Sequence, residues 1–405
     1  MPLTASSSTH AGSAAARVLA LCELWALIAA HSGLVGAWRL VGVCRAARHG
    51  AKEWLRTLPR LVVCGGLSSA GGLTREVWRL DLGELRWERQ PDLATGRVNH
   101  ACCTVRKSIV VLGGFAGEQA EIDDSVSMET LGFGSSEAGE NIFEIMPPLS
   151  CDPIYNHAAV VIDESESDRG QVLLIGGSDD EGGSSAVRKV DLATGVCIAQ
   201  PSLLCPQGHI VDDCCMAGRL PDGRVVCVGN TRSAYDTSED ESSQEEEDVE
   251  NHTIAQVLEP PPHEAPSEAS WRWRALPGTS VFHANGGAGC VLSDGRFAVF
   301  GGIDASDTTS SSCEALTLDS DGERWDVLSP MHEPRRRFAC AAVGGCVIVA
   351  GGTISGSVVS TATEVYEEGL GRWRWLPCSL PHYMSYTPRM TCGFVLQMRE
   401  GSTLM

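Results

Sequence analysis

The sequence predicts an all-β fold, a ring of six four-stranded units preceded by a small α-helical module, and three observations carry that prediction. Six short apolar runs end in a glycine pair or a near equivalent, from Leu61-Val62-Val63-Cys64-Gly65-Gly66 to Val347-Ile348-Val349-Ala350-Gly351-Gly352. Their first glycines lie 48, 63, 53, 72 and 50 residues apart, a repeat of roughly 50 residues with insertions. The first unit lacks a strand that precedes every other glycine pair, and the chain ends on a spare strand of that type. Four short strands per unit, closed end to end, make a β-propeller.

Residues 1–16 are Ser/Ala-rich and acid-free, which reads as a disordered N-terminal tail. The apolar run from Val18 to Ala30 has the look of a leader's hydrophobic region, but Glu23 sits in its middle and the helical pattern continues beyond it. No stretch is expected to span a bilayer. Residues 17–58 read as helix: Leu19, Leu24, Leu27 and Ile28 recur at offsets of three to five, Ser32-Gly33 breaks the run, and Leu34, Trp38, Val41 and Trp54 resume it. So short a module cannot bury its own apolar stripe, so a partner or the following domain must cover it.

From residue 59 to 397 the texture changes. Further glycine-terminated runs stand at Ile109–Gly114, Val172–Gly177 and Phe297–Gly302. In Val225–Asn230 an asparagine replaces the second glycine, the substitution best suited to positive φ. Each run is followed by a half-alternating strand (Val77 to Leu82, Val187 to Leu192, Glu314 to Asp319) and then an aromatic one. The aromatic residue is Trp87, Phe143, Trp271 or Trp273, Trp325, and Trp373 or Trp375. A large ring on the outer strand fills the widening wedge between blades, worth on the order of 2–3 kcal/mol. An Ala/Cys/Val-rich strand such as Ala101 to Val105 or Ala339 to Val343 then precedes the next run. The segment Met390 to Leu396 supplies the strand missing from the first unit and removes two sheet edges. Residues 398–405 form a tail.

Hydrophobic residues make up 43% of the chain and charged residues 20%, with a net charge of −21. This argues against nucleic-acid or anionic-membrane binding as the main task. The imbalance is local: the insertion 236–270 in the fourth blade carries twelve carboxylates and no Lys or Arg. It reads as a disordered spacer, with Ile254 to Leu258 as a displaced inner-blade strand. Ser238, Ser242 and Ser243 each have an acidic residue three positions on. Seventeen cysteines without a C-x-x-C pair read as reduced thiols filling core positions, against the alternatives of a disulfide framework or a zinc site.

With these residues in view, 60–397 resembles the kelch-repeat β-propeller. The match is uneven: the third unit has Cys197-Ile198 where a Trp is expected. Residues 17–58, above all Glu23 to Ile28 and Trp38 to Arg48, are similar to an F-box, without its usual Leu-Pro opening. The resemblance implies a non-catalytic substrate receptor of an SCF-type cullin–RING ubiquitin ligase, cytoplasmic or also nuclear. In it, Leu24, Leu27, Ile28, Leu34, Trp38, Leu40, Val43 and Cys44 would dock on a Skp-type adaptor, and the propeller would hold a substrate protein. A kelch scaffold without ligase function is the alternative, and a helical cap on the propeller is the bland reading of residues 17–58.

The loop entering each Ala/Cys/Val strand carries polar residues: Arg97, Asn99 and His100; Tyr155, Asn156 and His157; His209; His283; Arg335, Arg336 and Arg337; Arg389. Kelch receptors place arginines here against acidic motifs, and guanidinium forks suit carboxylate or phosphate. The competing reading is that these side chains satisfy local turns. The histidines lie on different blades, too far apart for a shared metal, and no cofactor is expected. A copper-radical oxidase, the remote enzymatic alternative, would need tyrosine ligands; only Tyr383 and Tyr386 lie near a histidine, His382.

Overall fold

A computed structural model of the chain describes residues 21–68, 72–106, 108–115, 126–132, 143–152, 154–163, 169–179, 182–207, 209–211, 216–233, 252–260, 271–320, 322–355, 358–381 and 389–393. The two predicted tails, most of the acidic insertion with its three serines, and the His382, Tyr383 and Tyr386 cluster lie outside them.

Two helices open the described chain, α1 (Cys22–Val41) and α2 (Arg45–Thr57). Gly33, at φ 69 and ψ −177, breaks α1 at the predicted point. The two helices cross closely because Gly50 has no Cβ, which would meet the Cys22 carbonyl oxygen at 2.3 Å. Ala29, Leu34, Val35 and Ala37 of α1 and Ala51 and Leu55 of α2 share one buried core with Leu61, Val63 and Leu80 of the first blade and Ala341 and Ile348 of the sixth. The following domain thus covers the apolar stripe. One expectation is corrected: α1 is long and apolar enough to cross a membrane. A core helix or a signal sequence can have the same length and composition; here Ala29, Leu34, Val35 and Ala37 are buried against protein, while most of the helix is not buried.

Six antiparallel blade sheets follow, five of four strands and that of the fourth blade of five, with each blade given from inner to outer strand. The first blade runs Arg389–Gly393, Arg60–Cys64, Val77–Asp81, Arg86–Gln90, and the second Ala101–Val105, Ser108–Leu112, Met128–Gly132, Glu144–Met146. The third runs Ala158–Asp163, Gln171–Ile175, Val187–Asp191, Cys197–Gln200, and the fourth Met216–Arg219, Val225–Ser233, His252–Glu259, Arg272–Leu276. The fifth is Ala288–Val291, Phe297–Phe300, Cys313–Asp319, Gly322–Val327, and the sixth Ala339–Val343, Cys346–Ala350, Ala362–Glu367, Arg372–Ser379. Closure follows the predicted route, because the last strand pairs with the first, Cys392 opposite Leu61 and Met390 opposite Val63. Each inner strand touches those of the two neighbouring blades, completing the ring.

Both glycines of the five double-glycine runs take positive φ, from 58 at Gly301 to 107 at Gly66. The fourth unit departs from the prediction. Neither Gly229 nor Asn230 has positive φ, because the strand runs straight on to Ser233 and pairs with His252–Glu259 and with an added strand, His209–Val211. Ile254 to Leu258 is therefore not a displaced inner strand but the third strand of its blade. Three outer-strand tryptophans sit in the seams and donate their indole N–H groups across them: Trp273 to the Pro201 carbonyl (2.8 Å), Trp325 to Pro277 (2.9 Å) and Trp373 to Ser329 (2.8 Å).

Candidate functional site

Antiparallel order places the double-glycine turns and the loops between blades at one end of the ring and the hairpin turns at the other. The helices occupy the hairpin end. Trp38 donates its indole N–H to the Leu82 carbonyl (2.7 Å), Lys52 pairs with Glu84 (2.6 Å), and Leu34 and Leu58 lie beside Gly344. Of the eight residues predicted to meet an adaptor, Leu34 is thus taken up by the propeller and Trp38 is half-buried on it. Leu24, Ile28 and Leu40 are half-buried, whereas Leu27 (59% exposed), Val43 (61%) and Cys44 face outward.

At the loop end, the residues predicted to bind a substrate divide into two groups. Arg97, His100, His157, His283 and Arg335 are fully buried. Arg97 pairs with Glu129 and donates to the Gly113 carbonyl (2.7 Å); Arg335 pairs with Glu364 (2.6 Å) and donates to the Gly351 carbonyl (2.8 Å). His283 Nδ1 lies 2.7 Å from the Gly301 carbonyl, and its Nε2 lies 3.4 Å from Glu314. The same carboxylates accept backbone N–H groups of the crossing loop, from Ala94 and Thr95, from Ser280 and Val281, and from His332 and Glu333. Gln256 does the same in the fourth blade, bonding both the N–H and the C=O of Leu204. A buried ion pair left without one partner is costly, so these groups clamp the loops and are not free to receive a ligand. His100 and His157 fill the space beside the glycine pairs, where a Cβ at Gly114 would meet His100 Cβ at 2.6 Å and one at Gly177 would meet His157 Cβ at 3.0 Å. Burial raises the pKa of Glu314, but the bonds from His283 and the Ser280 and Val281 amides outweigh it and the net shift is downward.

The second group lies in the loops between blades, with Asn156 buried and Asn99, Asn285 and Arg337 half-buried. Asn99, Asn156, Asn285 and Arg337 occupy one repeated position, and all four have positive φ, between 41 and 58. They join neighbouring blades: Asn156 N donates to the Asn99 carbonyl (2.7 Å), Arg337 N donates to the Gly286 carbonyl (2.6 Å), and Arg337 Nη2 donates to Asn285 Oδ1 (2.8 Å). Asparagine tolerates this region and arginine does so at a cost, so the guanidinium is held there against its backbone preference. Tyr155 and Arg336 are half-buried beside this position, on isolated bridges to Ser178 and Thr353. His209 is half-buried in the added strand of the fourth blade. The Arg389 backbone pairs with Cys64; its side chain is outside the description.

The residues that sequence reasoning missed are the clamping carboxylates. Their signal was present: Glu314 and Glu364 each stand thirteen positions after the first glycine of a pair. The fourteen cysteines whose side chains are described are all free thiols. Among the described residues no His, Cys, Asp and Glu side chains converge on a metal position.

No family model matches the chain. A curated relative, the F-box/kelch-repeat protein At1g16250 of Arabidopsis thaliana, is 32% identical over 134 residues, 30% of this chain and 33% of that protein. The chain is a six-bladed β-propeller preceded by a short helical region, and part of it is similar to an F-box/kelch-repeat protein. The match to the curated relative spans about a third of that relative's length. Among solved structures the chain is similar to one titled "Structure of YjhT", at 14% identity and a TM-score of 0.49, covering 72% of this chain and 89% of that one. The fold and the relative together support a protein-interaction module.

Proposed function

We propose that the chain is the substrate-recognition subunit of an SCF-type cullin–RING ubiquitin ligase, non-catalytic itself. Its helices dock on a Skp-type adaptor and its propeller holds a substrate protein, in the cytoplasm or nucleus. One observation carries this reading: the helical module is seated on the hairpin end while Leu27, Val43 and Cys44 face outward, so the adaptor and substrate surfaces point in opposite directions. The printed name of the Arabidopsis relative agrees with it. At the loop end, Arg336 and the strained Arg337 form the side that receives an acidic motif, because backbone strain persists where the surrounding structure over-determines it and clusters at ligand sites. Free thiols among the described cysteines fit a reducing compartment.

The test is co-elution of the full chain with purified Skp-type adaptor. The wild type is expected to form a complex, and Leu27→Glu with Val43→Glu, both at exposed positions, is expected to abolish it while the melting curve stays unchanged. A folded wild-type chain that never co-elutes would overturn the ligase reading. The second reading, a scaffold whose helices only cap the ring, is favoured by the burial of Leu34 and the bond from Trp38 to Leu82; it predicts that outcome.

A further inference from the structure

The seam between the second and third blades, where Cys197 stands in place of the tryptophan, holds two thiols in contact. Cys197 opens the outer strand of the third blade, and Cys151 lies in the loop that crosses from the second blade. Both are half-buried, and both pack on the core that these two blades share. Backbone fixes their approach: Ser150 N donates to the Gly195 carbonyl and Cys197 N donates to Ser150 Oγ, both at 2.9 Å. The Cys151 thiol donates to the Cys197 sulfur and lowers the Cys197 pKa to about 7 although burial opposes it; bonds from Ser150 and the Arg188 guanidinium act in the same direction as Cys151. A second pair is the internal comparison. Cys290 and Cys340, on the inner strands of the fifth and sixth blades, have their sulfurs 3.9 Å apart, yet the hydrogen bond with Cys340 and then burial push the Cys290 thiol well up, and Glu368 adds to the effect. Proximity is common to both pairs, whereas the neighbouring charge is Arg188 in one and Glu368 in the other. The thiolate is the nucleophile, and an accessible, activated cysteine beside a second thiol is the arrangement that reacts with peroxides and then resolves.

We propose that Cys197 and Cys151 form a peroxide-sensitive dithiol that closes to a disulfide and staples the crossing loop to the outer strand of the third blade. The oxidant is hydrogen peroxide or an alkyl hydroperoxide from solution. The Cys197 thiolate attacks one peroxide oxygen; the O–O bond breaks, the other oxygen leaves and takes up the proton that Cys197 released, and Cys197 becomes a sulfenic acid. The Cys151 sulfur then attacks the Cys197 sulfur; the S–O bond breaks, the departing hydroxide takes the Cys151 proton as water, and the S–S bond forms. Two electrons pass from the two thiols to one peroxide. The staple gives a covalent tie to a seam that lacks both the tryptophan and the arginine–glutamate clamp, and the loop it fixes leads directly to Tyr155 and Asn156. The proposal does not depend on the ligase reading.

The test is a time course of the reduced full chain with hydrogen peroxide at neutral pH, quenched by iodoacetamide and mapped by mass spectrometry of the unreduced peptides. The Cys151–Cys197 cross-link is expected to form roughly tenfold faster than any Cys290–Cys340 cross-link, because thiolate character sets the rate. Cys151→Ser removes the resolving thiol and should stop the reaction at a Cys197 sulfenic acid, trapped as its dimedone adduct; Cys197→Ser should leave Cys151 open to alkylation. The wild-type time course decides the matter alone if either variant is unstable. A Cys151 and Cys197 pair still alkylated after other thiols have been oxidised, a Cys290–Cys340 cross-link that forms as fast or faster, or a folded Cys151→Ser chain without adduct at Cys197 would overturn the proposal.

Discussion

The sixth and third blades close the same kind of seam by different means. In the sixth, Trp373 is buried between blades, edge-on to Phe300 with ring centroids 6.0 Å apart, and its N–H reaches the Ser329 carbonyl; the Arg335–Glu364 pair clamps the loop above it. In the third, Cys197 stands in place of Trp, Ile154 in place of the arginine, and Arg188 in place of the glutamate. The chain there closes through backbone instead. Cys197 N donates to Ser150 Oγ, and Ser150 N donates to the Gly195 carbonyl, both at 2.9 Å. A Cβ at Gly195 would meet the Pro148 carbonyl oxygen at 2.1 Å. In these two blades the wedge and the clamp are present together or absent together, although the first blade buries Trp87 and has Trp78, not a carboxylate, at the clamping position opposite Val63.

The largest expected effects break the sixth blade. Arg335→Ala leaves Glu364 buried without its partner and should cost about 3–5 kcal/mol, and Trp373→Ala should cost about 3–5 kcal/mol through cavity formation. The counterparts Arg188→Ala and Cys197→Ala should fall within about 1 kcal/mol of wild type. Urea unfolding of the four variants checks this, and comparable losses in both blades would remove the distinction. Next in size, the third blade should be the one broken by a methyl group: Gly195→Ala, at φ 73, should cost about 1–2 kcal/mol from backbone conformation alone, and more because of the Pro148 contact.

The ring was legible in the sequence because its parts repeat: the glycine pairs with their positive φ, the tryptophans in the seams, and the spare strand that pairs Cys392 with Leu61 all follow from period and sterics. The site was legible only as a set of loops. Polar residues two positions apart looked alike, yet Arg335 is fully buried on a carboxylate and Arg337 is half-buried with its guanidinium on Asn285. What separates them is a partner on another strand, 29 residues away in the case of Glu364, and side-chain type in a loop does not reveal such pairing. The straight passage of the chain through Gly229-Asn230 was hidden for a similar reason, since a long partner strand overrode a turn-forming dipeptide.

A smaller effect extends the comparison to pH. Glu314, the fifth blade's clamp, has a folded pKa below that of the unfolded chain. The stabilisation it contributes is therefore complete above the ordinary glutamate range, about pH 4.3, and is lost as pH falls through the lower folded value. Glu314→Gln should flatten the acid limb of the stability profile, whereas Arg188→Ala should leave that limb as it is in wild type. Stability measured between pH 3 and 6 in each variant checks the sign.

The smallest effect separates stability from function within a single loop. Asn99, Asn156 and Asn285 hold the left-handed position in three crossings, and Arg337 holds it in a fourth with φ 54. Arg337→Asn should therefore stabilise the chain by up to about 1 kcal/mol, since asparagine bears this conformation more easily. It should also remove the guanidinium that reaches Asn285. If the arginine were there for packing, the variant would gain nothing or lose stability, and recovery of partners on the immobilised propeller would not change. If it is there to meet an acidic motif, the same variant is more stable yet recovers less partner, and Arg337→Glu loses that partner altogether. Only a binding role makes stability and recovery move in opposite directions.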